Sequence, residues 1–417
     1  MEEWKEYKLG EVVIPVKERI ETSCLDSASY ISTENMLPDK AGVTLSSGVP
    51  SGNAVMFKND DILISNIRPY FKKIWRANRD GGCSSDVICL RASNAVDPLF
   101  LYYLLCQDLF FDYVMQGAKG TKMPRGDRNQ IMQWPVLIPS KNKQHTIASI
   151  LCALDDKIEV NRRINDNLEQ QAQALFKSWF VDFEPFRDQP FVESELGMIP
   201  EGWKVEKIGS LPISVTDYVA NGSFASLKEN VKLYQTPEYA YFIRNTDLKS
   251  GKFEVYVDRH SYEFLSKSTL YGGEIIISNV GDVGSVHLCP YLDKPMTLGN
   301  NIIMLKPNKQ YYSYYLYILF KWAYGNDLIM SIKGGSAQPK FNKTDFKSLK
   351  IIAPKDIVLE KYHSMISVLF NKMRILEDES RRLAELRDTL LPRLMSGELS
   401  VDGLKGQFAV SPGRCPG

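Results

Sequence analysis

Apolar residues in two stretches of the chain recur in alternating steps of four and three. The first stretch runs from Ile147 to Trp179, and the second runs from Tyr362 to Leu394. A heptad pattern sustained over this length is typical of a coiled-coil seam, whereas a helix lying on a globular core shows a wider apolar face. The pattern therefore predicts two long helices that pair with each other.

The predicted seam has apolar and polar positions. The apolar positions are Ile147, Leu151, Leu154, Ile158, Leu168 and Leu175 in the first helix, and Ile366, Leu369, Met373, Leu376, Leu383 and Leu390 in the second. Asn161, Asn165, Ser380 and Arg387 also fall on the seam, where polar residues weaken packing but fix register and direction. Thirty-three residues give about 50 Å of helix. Asp155 and Asp156 are expected on the outer, solvated face.

Each helix follows a module that occurs twice. Residues 101–104 match 316–319, and Pro124 matches Pro339, at a constant separation of 215 residues. Repeats of a solenoid are much shorter, roughly 20 to 50 residues, so each copy is the size of a domain. If the two helices run antiparallel, as the order of module and helix favours, the modules lie at opposite ends of the pair.

Within each module, the pattern predicts both strands and helices. Runs rich in β-branched residues predict strands at 61–67 and 274–280, which end at Asn66 and Asn279, and at 134–139 and 349–354. Helices are predicted over 98–115 and 311–332. The fold class is α+β, with two tandem, pseudo-repeated α+β modules separated by two long helices that form an antiparallel coiled coil. The predicted segments are 1–140, 141–182, 183–202, 203–354, 355–398 and a disordered tail at 399–417.

Composition adds bounds without indicating a function. The chain has 417 residues and a formal net charge of +1, so its bulk charge does not indicate a nucleic-acid partner. No apolar run has the length of a membrane span, and the beginning of the chain is acidic where a signal peptide would be basic. We expect a cytoplasmic protein. The seven cysteines form no Cys-x-x-Cys pair and the four histidines are not spaced as ligands, so reduced thiols and no metal site are predicted.

Basic residues are concentrated locally. The run at 62–79 holds Arg68, Lys72 and Lys73 beside aromatic residues. A Gly/Pro-rich loop carries Lys119, Lys122, Arg125 and Arg128, and the equivalent place in the second copy carries Lys333, Lys340, Lys343 and Lys347. One such cluster alone is more often a solvated surface. Recurrence at the same place in both copies favours contacts with phosphate or base edges, with Gln338, Asn342 and Arg68 as candidate readers of bases.

Two similar modules held by a spacer indicate a protein that reads a two-part target. DNA is one such target because its half-sites are regularly spaced, and a scaffold with two protein-docking heads is an alternative. Asp97-Pro-Leu-Phe100 is similar to an adenine-methyltransferase motif, but an N-cap followed by proline explains it better. Residues 117–122 lack the spacing of a phosphate-binding loop. No catalytic residue is predicted, although a stand-alone methyltransferase or nuclease with tandem recognition domains stays open.

Four segments resemble the specificity subunits of type I restriction-modification systems. They are Ser-Glu-Leu-Gly-Met-Ile-Pro-Glu-Gly-Trp at 194–203, Gly-Gly-Ser-Ala-Gln-Pro-Lys-Phe-Asn at 334–342, the helix segment 147–158 and Leu-Leu-Pro-Arg-Leu-Met-Ser-Gly-Glu-Leu at 390–399. The resemblance covers nearly the whole chain. It departs from the family before the first helix, where only Gln144 remains of the usual Pro-rich turn and Glu-Gln, and at Met123, which stands where the second copy has Gln338.

The resemblance implies a subunit that is not itself an enzyme. Its two target recognition domains would each read half of an interrupted, asymmetric site in double-stranded DNA, and its helices would dock two methyltransferase subunits. Restriction (motor-nuclease) subunits join the larger complex, and no membrane is involved. The resemblance also implies that this chain holds no cofactor, since S-adenosylmethionine is bound by the methyltransferase partner and ATP with Mg by the motor-nuclease partner.

Overall fold

The computed structural model describes residues 4–335 and 338–401. The chain divides into two compact units, of which the first joins Met1–Ile164 to Ile375–Gly417 and the second is Asn165–Arg374. Each unit contains one sequence module and part of both long helices. The first unit is therefore discontinuous along the chain, whereas the second is continuous.

The module of the first unit is built from short strands and helices. Its strands are β1 (Lys5–Lys8), β2 (Val13–Pro15), β3 (Arg19–Glu21), β4 (Tyr30–Ile31), β5 (Asn53–Phe57), β6 (Ile62–Ser65), β7 (Ile74–Arg76), β8 (Gly81–Cys83), β9 (Val87–Ala92) and β10 (Pro135–Ile138). Its helices are α1 (Leu9–Val12), α2 (Pro98–Leu105), α3 (Asp108–Gln116) and α4 (Arg128–Ile131). Asp97 caps α2 by accepting hydrogen bonds from the backbone of Leu99 and Phe100, which confirms the N-cap interpretation.

Strand β6 lies between two hydrophobic cores of the first unit. It is central in a sheet of order β2-β9-β6-β7, and a second sheet has the order β3-β5-β8-β4. Ile62 and Ile64 pack in the core that contains Phe100, whereas Leu63 packs with Trp75 in the other core. Because successive side chains of a strand point to opposite faces, a strand covered on both faces reads as an uninterrupted apolar run, as β6 does.

The second unit repeats this plan with more elements before its central strand. Helix α5 (Lys141–Phe180) leads to β11 (Phe191–Ser194), β12 (Gly197–Pro200), β13 (Lys204–Lys207), β14 (Ile213–Asp217), β15 (Leu233–Tyr234), β16 (Ala240–Ile243), β17 (Tyr256–Val257), β18 (Thr269–Leu270), β19 (Ile275–Ser278), β20 (Val286–Leu288), β21 (Met296–Leu298), β22 (Ile302–Pro307) and β23 (Lys350–Ala353). The helices after α5 are α6 (Phe224–Asn230), α7 (Asn245–Ser250), α8 (Arg259–Phe264), α9 (Tyr311–Lys321), α10 (Ala323–Ser331), α11 (Lys343–Ser348) and α12 (Asp356–Met395).

The sheets of the second unit correspond to those of the first. The order β14-β22-β19-β20 matches β2-β9-β6-β7, and the second sheet has the order β15-β17-β16-β21-β18. Ile275 and Ile277 of β19 pack in one core and Ile276 packs in another. In both units one strand pair is parallel, namely β4 with β8 and β16 with β21. The central strand therefore has the same role in each unit.

Each helix predicted after the central strands is divided in two. Gln107 is extended, with φ −65° and ψ 140°, and separates α2 from α3. Its side-chain amide donates to the carbonyl of Leu104 at 3.0 Å, which satisfies a backbone group at the end of α2. The break allows Phe110 and Val114 of α3 to enter the same core as α2. Trp322 makes the corresponding break between α9 and α10.

Helices α5 and α12 pair antiparallel in each unit. In the first unit Asp155 accepts a hydrogen bond from Arg387 at 2.7 Å, and Asn161 lies 3.3 Å from Ser380. In the second unit Asn165 donates to the carbonyl of Met373 at 3.3 Å. Residues nearer the end of α5 therefore contact residues nearer the beginning of α12.

The predicted seam residues are all removed from solvent to some degree. Ile147, Leu151, Ile366 and Leu376 are buried, and the other eight apolar seam positions are half-buried. Asn161 is completely buried, and its amide donates to Glu379 at 2.8 Å as well as to Ser380. A polar contact at this position restricts the register of the two helices.

The prediction that Asp155 is solvated is wrong. Its side chain is 17% exposed and accepts hydrogen bonds from the hydroxyl of Tyr103 and from Arg387, each 2.7 Å long. Burial would lower the pKa of Arg387, but the charge of Asp155 raises it above the ordinary value. The neighbouring Asp156 is half-buried, and burial followed by the charge of Asp155 raises its pKa. The acidic pair therefore belongs to the junction of α2, α5 and α12.

The sequence predicts a disordered tail that begins at residue 399. Leu399 and Val401 instead pack against the core of the first unit, and residues 402–417 lie outside the described part of the chain. No helix among the described residues is long and apolar enough to cross a membrane.

Candidate nucleic-acid interface

In the first unit, residues 119–125 form a tight hairpin attached to the end of β6. Lys119 and Arg125 exchange two backbone hydrogen bonds, each 2.9 Å long. The backbone N–H of Arg68, just after β6, donates to the carbonyl of Pro124 at 2.8 Å. The hairpin thus brings together two basic runs that are far apart in the sequence.

The second unit repeats this backbone arrangement at residues 334–340. Gly334 and Lys340 exchange backbone hydrogen bonds of 2.8 and 2.9 Å. The N–H of Gly281, just after β19, donates to the carbonyl of Pro339 at 2.9 Å. We call 119–125 and 334–340 the two basic hairpins.

The asparagines that follow β6 and β19 accept a backbone hydrogen bond from the residue just after each hairpin. The N–H of Gly126 donates to the carbonyl of Asn66 at 3.2 Å, and that of Phe341 donates to the carbonyl of Asn279 at 3.0 Å. The side-chain oxygens of both asparagines are buried and have no hydrogen-bond partner among the described residues. Asn66 and Asn279 therefore correspond in the hydrogen bonds of their backbone carbonyls as well as in sequence.

Corresponding residues next to the hairpins have left-handed backbone conformations. Gly281 has φ 78°, which glycine adopts without strain, but Arg68 has φ 49°. A left-handed conformation costs a non-glycine residue roughly 1–2 kcal/mol. In the first unit the backbone thus keeps a conformation suited to glycine while presenting an exposed arginine side chain, and such strain is common at functional sites.

Three cations of the first unit lie exposed around this hairpin. Arg68 and Lys122 are exposed, and in the described part of the chain neither side chain has a hydrogen bond or an ion pair. Arg125 is 56% exposed and lies 3.4 Å from Asp86, a distance at which the surface pairing is weak. These three side chains can contact an external anion.

Lys119 and Arg128 lie at the base of the same hairpin. Lys119 is 83% exposed, with its ammonium 3.2 Å from Asp127. Arg128 donates to the backbone carbonyl of Ser85 at 2.6 Å. Lys119 can therefore exchange Asp127 for an external anion, whereas Arg128 fixes the turn after β8.

Lys72 and Lys73 hold neighbouring segments of the first unit in place. Lys72 forms an ion pair of 3.0 Å with Asp108, and Lys73 donates to the carbonyl of Thr33 at 2.7 Å. Burial, followed by the charge of Arg68, lowers the pKa of Lys73. The structure thus brings these lysines close to the hairpin but directs their ammonium groups to protein partners.

The second unit presents Lys333, Gln338 and Lys340. All three are exposed, and in the described residues no side-chain hydrogen bond or ion pair involves them. Ser336 and Ala337, which belong to the sequence motif at this hairpin, lie outside the described residues. An amide and two ammonium groups are therefore available on this side of the second unit.

Asn342 and Lys343 are used within the second unit. The side-chain oxygen of Asn342 caps α11 by accepting from the N–H of Asp345 at 2.8 Å. Lys343 forms an ion pair of 3.1 Å with Asp217 at the end of β14. Both residues lie beside the hairpin and fix the position of α11.

The segments that follow β6 and β19 differ in charge between the units. In the first unit this segment carries Arg68 and the exposed rings of Tyr70 and Phe71, whose centroids are 4.6 Å apart. In the second unit it carries Asp282, which accepts from Lys249 at 2.6 Å. The hydrogen bond from Lys249 lowers the pKa of Asp282. Sequence reasoning missed Lys249 because it lies on α7, in the segment that is longer in the second copy.

The described residues contain no group of three or more His, Cys, Asp or Glu side chains that could hold a metal ion. The exposed side chains around the hairpins include cations, amides and aromatic rings, which are groups that contact phosphates and base edges in protein–DNA complexes.

Known proteins are similar in sequence to this chain over most of its length. A family model described as the type I restriction modification DNA specificity domain matches residues 1–170 and 200–385. The specificity subunit of the type I restriction enzyme HindI from Haemophilus influenzae is 26% identical over 96% of this chain and 100% of its own length. The MjaIX specificity subunit from Methanocaldococcus jannaschii is 30% identical over 73% of this chain and 70% of its own.

A solved structure shares the fold. The S subunit of a type I restriction-modification system from M. genitalium aligns with 94% of this chain and 96% of its own length, with a TM-score of 0.56 and 18% identity.

Proposed function

The chain belongs to the type I restriction modification DNA specificity family, and from that premise we propose that it is the specificity subunit of a type I complex. Each unit reads one half of a bipartite, asymmetric site in double-stranded DNA, and the long helices set the spacing of the halves. The observation that carries this proposal is the basic hairpin attached to the end of the central strand in both units. The hairpins of the two units share a backbone geometry but carry different side chains, so the two units can read two different half-sites.

The side chains around the hairpins divide into two roles in this proposal. Lys122 and Arg125 in the first unit, and Lys333 and Lys340 in the second, contact phosphates and so position the protein without reading sequence. Arg68 and Gln338 read base edges, since arginine can bind guanine and glutamine can bind adenine through two hydrogen bonds. Lys72, Lys73, Asn342 and Lys343 hold the segments that present these residues.

The catalytic parts come from partners in this proposal. Two methyltransferase subunits bind S-adenosylmethionine and modify adenine, and motor-nuclease subunits bind ATP and Mg. The chain contributes recognition and docking surfaces. Purified alone and supplied with S-adenosylmethionine, it should transfer no methyl groups to DNA. Methylation by the isolated chain would contradict the proposal.

Exposed apolar residues on the long helices support the docking role. Off the seam, Ile375 and Leu386 of α12 are 55% and 47% exposed in the first unit, and Val160 of α5 is 48% exposed. Positions eleven residues apart lie on nearly the same face of a helix, so Ile375 and Leu386 belong to one strip of α12, in which Glu379 and Arg382 lie between them. We assign this strip to a methyltransferase subunit.

Changing Ile375 and Leu386 together to glutamine should weaken methyltransferase binding roughly 30-fold, because two aliphatic side chains lose burial in the complex. The matched control is Arg381→Gln with Glu385→Gln, which lies on the other flank of α12. The measurement is a titration of labelled methyltransferase, with subunit stoichiometry from light scattering. Equal affinities for the two double variants would refute the assignment of this strip.

Replacing Gln338 by alanine should change base preference in one half-site by about 1–3 kcal/mol and leave the other half-site untouched. The measurement is the mapping of methylated adenines in DNA from cells that express the chain with its methyltransferase partner. Met123→Ala, at the corresponding position of the first hairpin, is the matched control and should leave the second unit's half-site unchanged. A uniform loss at all sequences would identify Gln338 as a backbone contact.

A further inference from the structure

The second unit contains a groove of about 590 Å³ whose cations are Lys267, Lys306 and Lys347. No carboxylate is among the described residues that line it. All three lysines are exposed, and within the described residues none of their ammonium groups forms an ion pair. We call this feature the basic groove. It lies outside the hairpin; Lys347 belongs to the basic cluster predicted for the second copy, whereas Lys267 and Lys306 belong to none of the predicted clusters.

The floor of the basic groove is one face of the β14–β22 strand pair. Ser214 lies directly opposite Lys306, and Thr216 lies opposite Met304. Because alternate residues of a strand share a face, the two hydroxyls, the ammonium and the thioether line the same surface. The floor therefore offers neutral hydrogen-bond donors beside a cation.

The walls of the basic groove carry the other two lysines. One wall is the turn that contains Lys267, followed by Tyr271, which is 66% exposed. The ammonium of Lys306 lies 4.5 Å from the centroid of the Tyr271 ring, a cation–π contact that restrains it without neutralising it. The other wall is α11, which carries Lys347. Cations thus face the groove from three different elements.

The corresponding cation of the first unit is neutralised. Arg91 of β9 lies where Lys306 lies on β22, and it is bound to Asp61 at 2.7 Å and to Glu18 at 3.6 Å. Glu274 takes the place of Asp61 before the central strand, but it accepts from backbone N–H groups. Lys306 is thereby left without an acid, so the free positive charge is a property of the second unit.

Helix α11 links the basic groove to the interface around the second hairpin. Helix α11 begins at Lys343, immediately after that hairpin. Lys347 lies four residues on, which places it on the same helix face one turn away. Lys343 is paired with Asp217 at 3.1 Å, whereas Lys347 is not paired. Lys347 is therefore the unpaired cation of α11, one helical turn beyond the segment that follows the hairpin.

We propose that the basic groove binds the DNA backbone beside the half-site of the second unit, so that this unit contacts more phosphates than the first. The proposal rests on the proposed function. Lysines and hydroxyls without a carboxylate are the donors that contact phosphate oxygens in protein–DNA complexes. Because α11 follows the second hairpin and carries Lys347 into the groove, a duplex bound at the hairpin is a nearby source of phosphates, which favours DNA over an acidic protein segment.

The test is the salt dependence of DNA binding by the chain assembled with its methyltransferase partner. The triple variant Lys267→Gln, Lys306→Gln and Lys347→Gln should lower the slope of log K against log salt by about 2 to 3, since each phosphate contact contributes about 0.9. The single variant Lys306→Gln should lower it by about 1. Affinity should fall equally for a duplex with the mapped site and for an unrelated duplex, and the methylated sequence should stay the same.

A matched control separates a groove contact from a general effect of charge. Lys204→Gln, Lys228→Gln and Lys232→Gln remove the same charge from exposed positions of the second unit outside the groove, and should change the slope by less than half as much. Three results would each overturn the groove proposal alone. They are a wild-type salt slope in the groove variants, an equal change of slope in the control, and a loss of affinity confined to the mapped site. If the wild-type complex binds DNA without salt dependence, the proposed function itself is overturned.

Discussion

Replacing Arg387 by methionine is expected to lower the free energy of unfolding of the first unit by about 3 kcal/mol, because breaking a buried ion pair leaves an uncompensated charge. Asp155, 17% exposed, would keep only the hydroxyl of Tyr103 as a side-chain donor. Methionine preserves most of the side-chain volume, so the loss reports on charge and not on packing. The contact joins α2 of the recognition module to both long helices, and its loss should loosen that junction.

Native-state hydrogen exchange resolves the effect of Arg387→Met, because amides of the two units can be followed separately. Amides in α2 should exchange faster, whereas those of the second unit should not. Arg382→Met, at an exposed position of the same helix, should change stability by less than about 0.5 kcal/mol. Adding Asp155→Leu to Arg387→Met should recover most of the loss, since an apolar pair can replace a buried ion pair. Equal stability of Arg387→Met and wild type would show that Asp155 is adequately solvated.

Replacing Gln144 by leucine is expected to destabilise the first unit by about 3 kcal/mol, because three backbone partners lose a hydrogen bond worth roughly 1 kcal/mol each. Gln144 is 1% exposed. It accepts from the N–H of Asp97 at 2.7 Å and donates to the carbonyls of Ala95 and Pro139 at 3.1 and 2.8 Å. The side chain thus fastens the beginning of α5 to the N-terminus of α2.

Leucine is an informative replacement for Gln144 because the second copy has Leu359 at the corresponding position, completely buried. A leucine therefore suits this place in the fold, and the change tests hydrogen bonding. Urea unfolding followed by exchange of amides in α2 measures the effect. Gln170→Leu, at an exposed position of α5, is the control and should be close to neutral. A neutral Gln144→Leu would mean that the three backbone groups find other partners.

The long helices were predictable because their signal is local and repeated. Heptad steps from Ile147 and from Tyr362 depend only on which residues are apolar, and helix geometry converts this spacing into one face. The central strands were predictable for a similar reason, since uninterrupted apolar runs at 62–64 and 275–277 mark strands covered on both faces. Strands of two or three residues, such as β4 and β15, carry too little pattern to be recognised.

Side-chain partners could not be predicted where they come from distant parts of the chain. The polarity of Asp155 indicated solvent, but Tyr103 and Arg387 reach it across the fold. Lys343 was recognised as part of a basic cluster, while its partner Asp217 lies more than a hundred residues earlier in the sequence. The cap at Asn342 did have a local signal, because asparagine is strongly preferred at the beginning of a helix.

The discontinuity of the first unit has a consequence for biosynthesis. Its core combines Ile147 and Leu151 of α5 with Leu391 and Leu394 of α12, and these two parts of the core are synthesised before and after the whole of the second unit. The second unit is complete once Arg374 has been made, so it can fold while the first unit still exposes the apolar surface of α5. A chain that ends prematurely between Arg374 and Leu391 would carry a complete second unit and an unfinished first core. Such a product is a substrate for chaperones and proteases, because exposed apolar surface promotes aggregation.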